Sequence, residues 1–398
     1  MQDLLDRLMQ QGHFAGVPVH VVYLIGIVVV GAVVLFGFVL NVAGGTTFIE
    51  RRVWARIQSR VGPNRVGPQG ILQWLADGLK LLMKEDTIPE AADPRLFRLA
   101  PYVVVIGFVA AFVCIPFSGD LIAADLNIGI LYITTVTSLV VVGILMAGWA
   151  SNNKWSLIGG IRAAAQIISY EIPAALSIFP IVMLTGTLSL QGIIRAQGWA
   201  PWDWFVFANP FTFFAFFILY TSLLAEGNRT PFDLPEAESE LVAGFVTEYS
   251  GVRYLFFFLV EWGNLYVISA IMVSLFLGGW QIPPVTDSPI LRNLLQFVTF
   301  FVKSYFWVLV AMWIRATLPR IRVDQLMTTC WKYLVPLGFV NLFGTALWMV
   351  IWPNGNRVVE ALMTLLGFGL IGYFFSRVWF HLRRSRYTRA EILLSPFS

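Results

Sequence analysis

Apolar runs long enough to cross a bilayer alternate with short polar connections along most of this chain. By the criterion of about twenty apolar residues per spanning helix, the pattern predicts about nine spans. They lie near Val19–Val42, Leu99–Phe117, Ile128–Ala150, Ala163–Leu188, Phe211–Ala225, Tyr254–Leu277, Leu295–Ile314, Leu334–Trp352 and Val358–Phe380. The fifth run is short by itself, and the aromatic stretch Trp199 to Phe207 offers it an earlier start. No repeat or low-complexity segment stands out. Residues 1–398 therefore read as one all-α, polytopic membrane domain, with an external segment at 1–18 and polar connections at 50–98 and 226–253. A basic tail follows at 377–398.

Two connections depart from simple polar links. In the first, Trp54, Ile57 and Val61 share a helical face, and the turn VGPNRVGP leads into a second helix. There Ile71, Leu72, Leu75, Leu79, Leu82 and Met83 are apolar, while Gln73, Asp77, Lys80 and Lys84 form a stripe at i, i+4, i+7 and i+11. Such a helix lies in the membrane interface, either as a plain anchor or as part of an entrance. The second connection reads EGNRTPFDLPEAESELVAGFVTEYSG. It holds six acids (Glu226, Asp233, Glu236, Glu238, Glu240 and Glu248) interleaved with Leu234, Leu241, Val242, Phe245 and Val246, offset only by Arg229 and Arg253. Carboxylates crowded against protein cannot all ionise, and proton-handling chemistry needs such groups. The alternative is a helix start, with Asp233 as cap, Pro235 in the first turn and Glu236 closing a capping box. On that helix Asp233, Glu236 and Glu240 form one stripe and Glu238 faces away; capping accounts for Asp233 and Glu236 but not Glu240.

Composition fixes the class more firmly. The chain is 58% hydrophobic and 13% charged, with a mean hydropathy of +0.73, which excludes an ordinary soluble domain. Its pI near 9.1 reflects loops rather than a nucleic-acid patch. Of 27 Lys and Arg residues, 22 fall on one side, leaving Arg7, Arg195, Arg292, Lys303 and Arg357 on the other. The positive-inside bias then places the N-terminus outside and the C-terminus, with both unusual connections, in the cytoplasm. Cys114 lies in an apolar run and Cys330 in a loop, with no metal or disulfide spacing. His13, His20 and His381 are too scattered for a metal site. GFGLIG (Gly367 to Gly372) matches a dinucleotide pattern but lies inside a span, where small residues serve helix packing.

Acids inside the spans are the sharper signal. An ionised carboxylate at membrane depth costs on the order of 3 kcal/mol, so it is paired, hydrated or protonated. Glu171 lies in the fourth span and Glu261 in the sixth, neither with a partner nearby in sequence. Glu50 ends the first span beside Arg51 and Arg52, where an ion pair and a functional role fit equally well. Pro173 removes a hydrogen bond to the Ser169 carbonyl and frees it for water or another donor.

Four stretches together carry a family resemblance: ERRVWARIQSRVGPNRVGPQGILQWLADGLKLLMKED, RAAAQIISYEIP, AEGNRTPFDLPEAESELVAGFVTEYSG and WIRATLPRIRVDQLM. From about Glu50 to beyond Lys332 the chain resembles the quinone-site membrane subunit of respiratory complex I. The ninth span goes beyond the family's common eight. The resemblance implies a quinone channel lined by Glu50, Arg51, Arg60, Asp77, Lys80 and Arg315. It implies proton coupling through Glu171, Glu226, Arg229, Glu236, Glu238, Glu240, Glu248 and Glu261. It further implies a bacterial inner membrane, quinone as substrate and no cofactor or metal on this chain. NADH, FMN and iron–sulfur clusters would sit on partner subunits, with peripheral iron–sulfur subunits capping the channel and small membrane subunits alongside. Lipid and quinone are the other partners, and nucleic acid is not one. Two alternatives stay open: the membrane subunit of a related energy-converting hydrogenase, and a stand-alone proton or ion transporter, since intramembrane acids beside a proline suit that class too.

Overall fold

The computed structural model describes residues 13–14, 17–18, 35–235, 238–284, 288–353 and 355–393. Most of the first expected span, Val19–Val42, and the site residue Glu236 lie outside them. Two short strands, His13–Phe14 and Val17–Pro18, pair antiparallel. The remaining elements are helical, and the protein is an all-α polytopic membrane protein. Among the described residues seven helices are long and apolar enough to cross a membrane, and Pro210–Glu226 is a shorter apolar one.

In chain order, α1 is Leu40–Ile57, α2 Gln73–Met83, α3 Pro94–Ala111, α4 Gly129–Ala150, α5 Lys154–Thr185, α6 Leu190–Ala196 and α7 Pro210–Glu226. The single turn α8 is Glu238–Leu241, followed by α9, Gly251–Phe276, and α10, Pro289–Thr317. Next, α11 (Val323–Thr328) widens into a π turn at Thr329–Leu334 and continues as α12, Val335–Ile351. The last helix, α13, is Arg357–Leu393.

The bundle is built around α9. Its apolar window is 72% buried, against 11% for that of α13, because α1, α2, α3, α5, α6, α7 and α10 all pack on it. Close approach is set by small residues: an added Cβ at Gly263 would strike the Phe108 ring of α3. Where α13 crosses the bundle, Gly367 faces the Phe207 ring and Phe368 stacks on it, so one glycine of GFGLIG does serve packing; Gly369 and Gly372 face open space.

Two sequence expectations change here. The fifth span does not start in the aromatic stretch: 3₁₀ turns occupy Pro201–Asp203 and Phe205–Phe207, and α7 starts at Pro210. Asn209 imposes this start by accepting from the Thr212 amide at 2.7 Å while the Thr212 hydroxyl answers the Asn209 amide at 3.2 Å, a capping box ahead of a first-turn proline. Cys330 lies not in a loop but fully buried in the π turn. Its thiol donates to the Ser169 carbonyl at 3.0 Å, the group that Pro173 leaves without its helical partner. One turn is thus wider where it meets the gap that a proline opens.

Candidate functional site

Glu50, near the end of α1, is buried, and the geometry around it comes from four separate segments. Arg315, at the end of α10, donates to Glu50 Oε1 at 2.5 Å. Arg229, in the turn after α7, is 2% exposed, with Nη1 3.0 Å from Glu261 Oε1 on α9 and 3.9 Å from Glu50 Oε2. The Arg229 guanidinium also lies 4.1 Å from the centre of the Trp262 ring, and Arg315 5.0 Å from that of Trp54. Buried charges survive only when paired, and here two guanidiniums share carboxylates and indole faces. The pairing is electrostatic more than hydrogen-bonded, since the three Arg229 nitrogens and Glu50 Oε2 make no well-directed hydrogen bond.

Asp233 joins this cluster instead of capping a helix. Among the described residues no helix begins there; the next helical turn, α8, is four residues long and starts five positions later. Its Oδ1 is buried without a hydrogen-bond partner. Burial raises its proton affinity above the ordinary carboxylate range, and Glu261 raises it further, opposed by Arg315, Arg229 and Arg320. Three carboxylates (Glu50, Asp233 and Glu261) therefore face the guanidiniums of Arg229 and Arg315, while Arg320, which pairs with Glu240, acts more weakly on Asp233. Counting the three carboxylates with Arg229 and Arg315 alone, full ionisation leaves one excess negative charge, which a low-dielectric interior disfavours.

Behind the cluster lies a cavity of about 270 Å³ between α4, α5, α7 and α9. Glu171 and Glu226 line it, together with Thr134, Thr135, Thr137, Ser138 and Asn264; its remaining wall is aliphatic. The Thr137 hydroxyl lies within hydrogen-bonding reach of Glu226, and that of Ser138 within reach of Glu171. Such a chamber has room for water and enough polar partners to hold it.

Cluster and cavity stand back to back. Glu226 lines the cavity and Arg229, three residues on, enters the cluster; Asn228 between them takes a left-handed turn at φ 50°. On α9, Glu261 and Asn264 divide in the same way. Gln166 of α5 pins the turn: its amide nitrogen lies 2.7 Å from the Ala225 carbonyl, 2.7 Å from the Phe232 carbonyl and 3.1 Å from Asn228 Oδ1. Sequence reasoning missed Gln166, the cavity hydroxyls and Asn264. The run TTVTS in the third span was the available signal.

The remaining expected residues lie farther out. Arg51 pairs with Asp77, which also accepts from Gln73 at 3.2 Å and has Lys80 at 3.8 Å, tying α2 to α1. All of α2 is unburied, with Leu75, Leu79, Leu82 and Met83 exposed, as an interfacial helix requires. Its helical turns start at Gln73, so Ile71 and Leu72 precede it, and Lys84 caps it. Arg60 bonds Gln58 and lines an open crevice with Arg52 and Arg56, apart from Asp77. Glu240 is half exposed and salt-bridges Arg162 at 2.6 Å and Arg320 at 3.6 Å; the Arg162 hydrogen bond holds its proton affinity below the usual range. Glu248 accepts from Asn153 at 2.6 Å. Neither reaches the buried cluster. The Glu238 side chain, like Glu236, lies outside the described residues. Among the described residues no three His, Cys, Asp or Glu side chains group as a metal site.

The family model described as NADH dehydrogenase matches residues 29–346, from the first expected span through most of α12 and short of α13. The H subunit of NADH-quinone oxidoreductase from Anaeromyxobacter dehalogenans (strain 2CP-C) is 53% identical over 365 residues, covering 87% of this chain and 88% of that one. The protein of the same name from Dehalococcoides mccartyi (strain CBDB1) is 46% identical over 348 residues, 87% of this chain and 94% of that one. The one from Chlorobium luteolum (strain DSM 273) is 45% identical over 337 residues, 83% and 91% of the two chains. The matched region contains every residue of the charge cluster and the cavity, and on this extent of similarity the chain belongs to the NADH dehydrogenase family.

Proposed function

We propose that this chain is the quinone-site membrane subunit of a proton-translocating NADH:quinone oxidoreductase, set in a bacterial inner membrane with its C-terminus in the cytoplasm. The observation that carries the reading is the back-to-back placement of a proton-hungry buried charge cluster and an acid-lined, membrane-depth cavity. A quinone gains two protons as it is reduced, so its site needs a proton source whose charge state responds to that uptake. Glu50, Arg51, Arg60, Asp77, Lys80 and Arg315 form the channel and its approach, with exposed apolar α2 residues admitting a lipid-soluble substrate. Glu261 and Arg229 relay a charge change at the cluster to Glu226 and Glu171 through the shared turn and α9. The redox groups (FMN, NADH and iron–sulfur clusters) belong to partner subunits that cap the cytoplasmic face, and small membrane subunits flank the bundle. The names of the relatives support this assignment.

The test is isolation of the tagged chain, with metal analysis and vesicle assays. Iron–sulfur partners should copurify. Glu226→Gln and Glu171→Gln should reduce proton pumping while NADH oxidation by a hydrophilic acceptor persists. A chain that isolates alone and moves protons or ions without partners would replace this reading with that of a stand-alone transporter.

A further inference from the structure

The seam where α1, α9 and α10 meet contains hydroxyl groups that neither the cluster nor the cavity uses. Thr46 lies one turn before Glu50 on the buried face of α1. Its hydroxyl donates to the Val42 carbonyl at 2.7 Å and stands 3.4 Å from the Tyr305 hydroxyl of α10, which reaches the same carbonyl at 3.3 Å. The Tyr266 ring of α9 lies 5.6 Å from that of Tyr305. Tyr266 and Ser304 are both fully buried, and their hydroxyls lie within hydrogen-bonding reach of one another, yet neither makes a well-directed hydrogen bond within the protein. Lys303, beside Ser304 in sequence, turns elsewhere, to the Leu277 and Gly279 carbonyls at 2.9 and 3.2 Å.

An unsatisfied buried hydroxyl costs about 1–3 kcal/mol. Phe at 266 and Ala at 304 would pack there without that penalty. Two such hydroxyls beside a third that has spare lone pairs make a site for buried water, which needs two to four polar partners. The row leads toward Glu50, whose Oε2 also has no hydrogen-bond partner. In the other direction it is closed by the packed rings of Phe38, Phe117, Phe297 and Phe300.

We propose that this seam binds water on Tyr266, Ser304 and Tyr305, and that these waters with Thr46 form a closed branch over which a proton held at Glu50 is shared. Each transfer breaks one O–H bond as the next oxygen forms one, so no oxidant or other co-reactant is involved. The ring plug makes the branch a store, not a route across the membrane. Facing Glu50 are Arg315, Arg229 and Glu261, with Asp233 in the same cluster, so the stored proton offsets that group's excess negative charge. The role of the store rests on the proton-coupling reading above; the hydration does not.

The experiment compares Tyr266→Phe and Ser304→Ala with wild type in the assembled complex. Melting temperature reports hydration, and the pH profile of proton pumping in vesicles reports storage. If water bonds these hydroxyls, both variants melt lower. Losing the shared hydrogen bond lowers proton affinity roughly tenfold, so the alkaline limb moves about one unit to lower pH, with quinone reduction on the acid side unchanged. An unchanged or raised melting temperature means a dry seam and overturns the proposal. A lower melting temperature with an unmoved alkaline limb leaves structural water only and overturns the storage role. If Tyr266→Phe does not assemble, Ser304→Ala, the smaller change, decides. If wild type shows no quinone-linked pumping, the proposed function fails, while the melting comparison still settles hydration.

Discussion

Removing Arg229 is the most direct perturbation of the buried cluster. In Arg229→Gln, the three carboxylates lose their one fully buried guanidinium: Glu50 keeps the partly buried Arg315, and Asp233 keeps Arg315 and Arg320. Two unit charges about 4 Å apart interact by about 4 kcal/mol at an effective dielectric of roughly 20, and breaking one side of a buried pair costs about 3–5 kcal/mol. Glu261 should feel the loss most, because its oxygen is 3.0 Å from Arg229, whereas Glu50 keeps Arg315 at 2.5 Å. Glu261→Gln alone should be milder, since Arg229 retains Glu50 and the Trp262 ring. The double variant should then fall short of the summed single losses by about 1–3 kcal/mol. Arg229→Lys should lie between wild type and Gln, keeping charge but losing the flat stack on Trp262. The assay is thermal denaturation of the purified complex in detergent at one fixed scan rate, because large membrane assemblies unfold irreversibly, alongside quinone reductase activity in membranes. Strict additivity of Arg229→Gln and Glu261→Gln would show that the two are not coupled, and the cluster would no longer support the proposed relay.

Three further outcomes follow from the geometry and a fourth from the distribution of charge along the chain. Asp233 has a raised folded-state proton affinity, so its contribution to stability grows as pH falls through that raised value, and Asp233→Asn should raise the melting temperature at neutral pH. Glu240 is the opposite case: its affinity is lowered, its contribution is present above about pH 4 and is lost as pH falls through the folded value, and Glu240→Gln should abolish that acid-side loss; matching pH profiles for the two variants would contradict both assignments. Gln166→Leu leaves the Ala225 and Phe232 carbonyls without their side-chain donor and should destabilise by about 2–4 kcal/mol at roughly 1–2 per lost bond, read as a lower melting temperature with reduced pumping; wild-type values for both would show that the turn does not depend on it. A reporter fused after Ser398 should signal cytoplasm and one near Pro284 the outside, from the 22-to-5 division of basic residues; reversed signals would mean that the number of spans differs by one.

The sequence by itself determined the elements whose cause is local. Apolar length marked the spans, because a bilayer admits only backbones that satisfy their own hydrogen bonds. Side-chain periodicity marked α2 as an amphipathic helix, and Pro173 announced a free carbonyl at Ser169. Local spacing did not reveal what fills that gap, since Cys330 comes from 161 residues away. The same limit governed the acids. Six of them in one connection read as one group or as a helix cap, and tertiary structure separated the four whose side chains are described: Glu226 into the cavity, Asp233 into the charge cluster, Glu240 to Arg162 and Arg320, and Glu248 to Asn153. A carboxylate's proton affinity depends on its burial and on charges within a few ångströms. For Glu50 those charges come from Arg315, 265 positions away, and from Arg229. No pattern along the chain encodes such a meeting; only the packing of α1, α7, α9 and α10 brings it about.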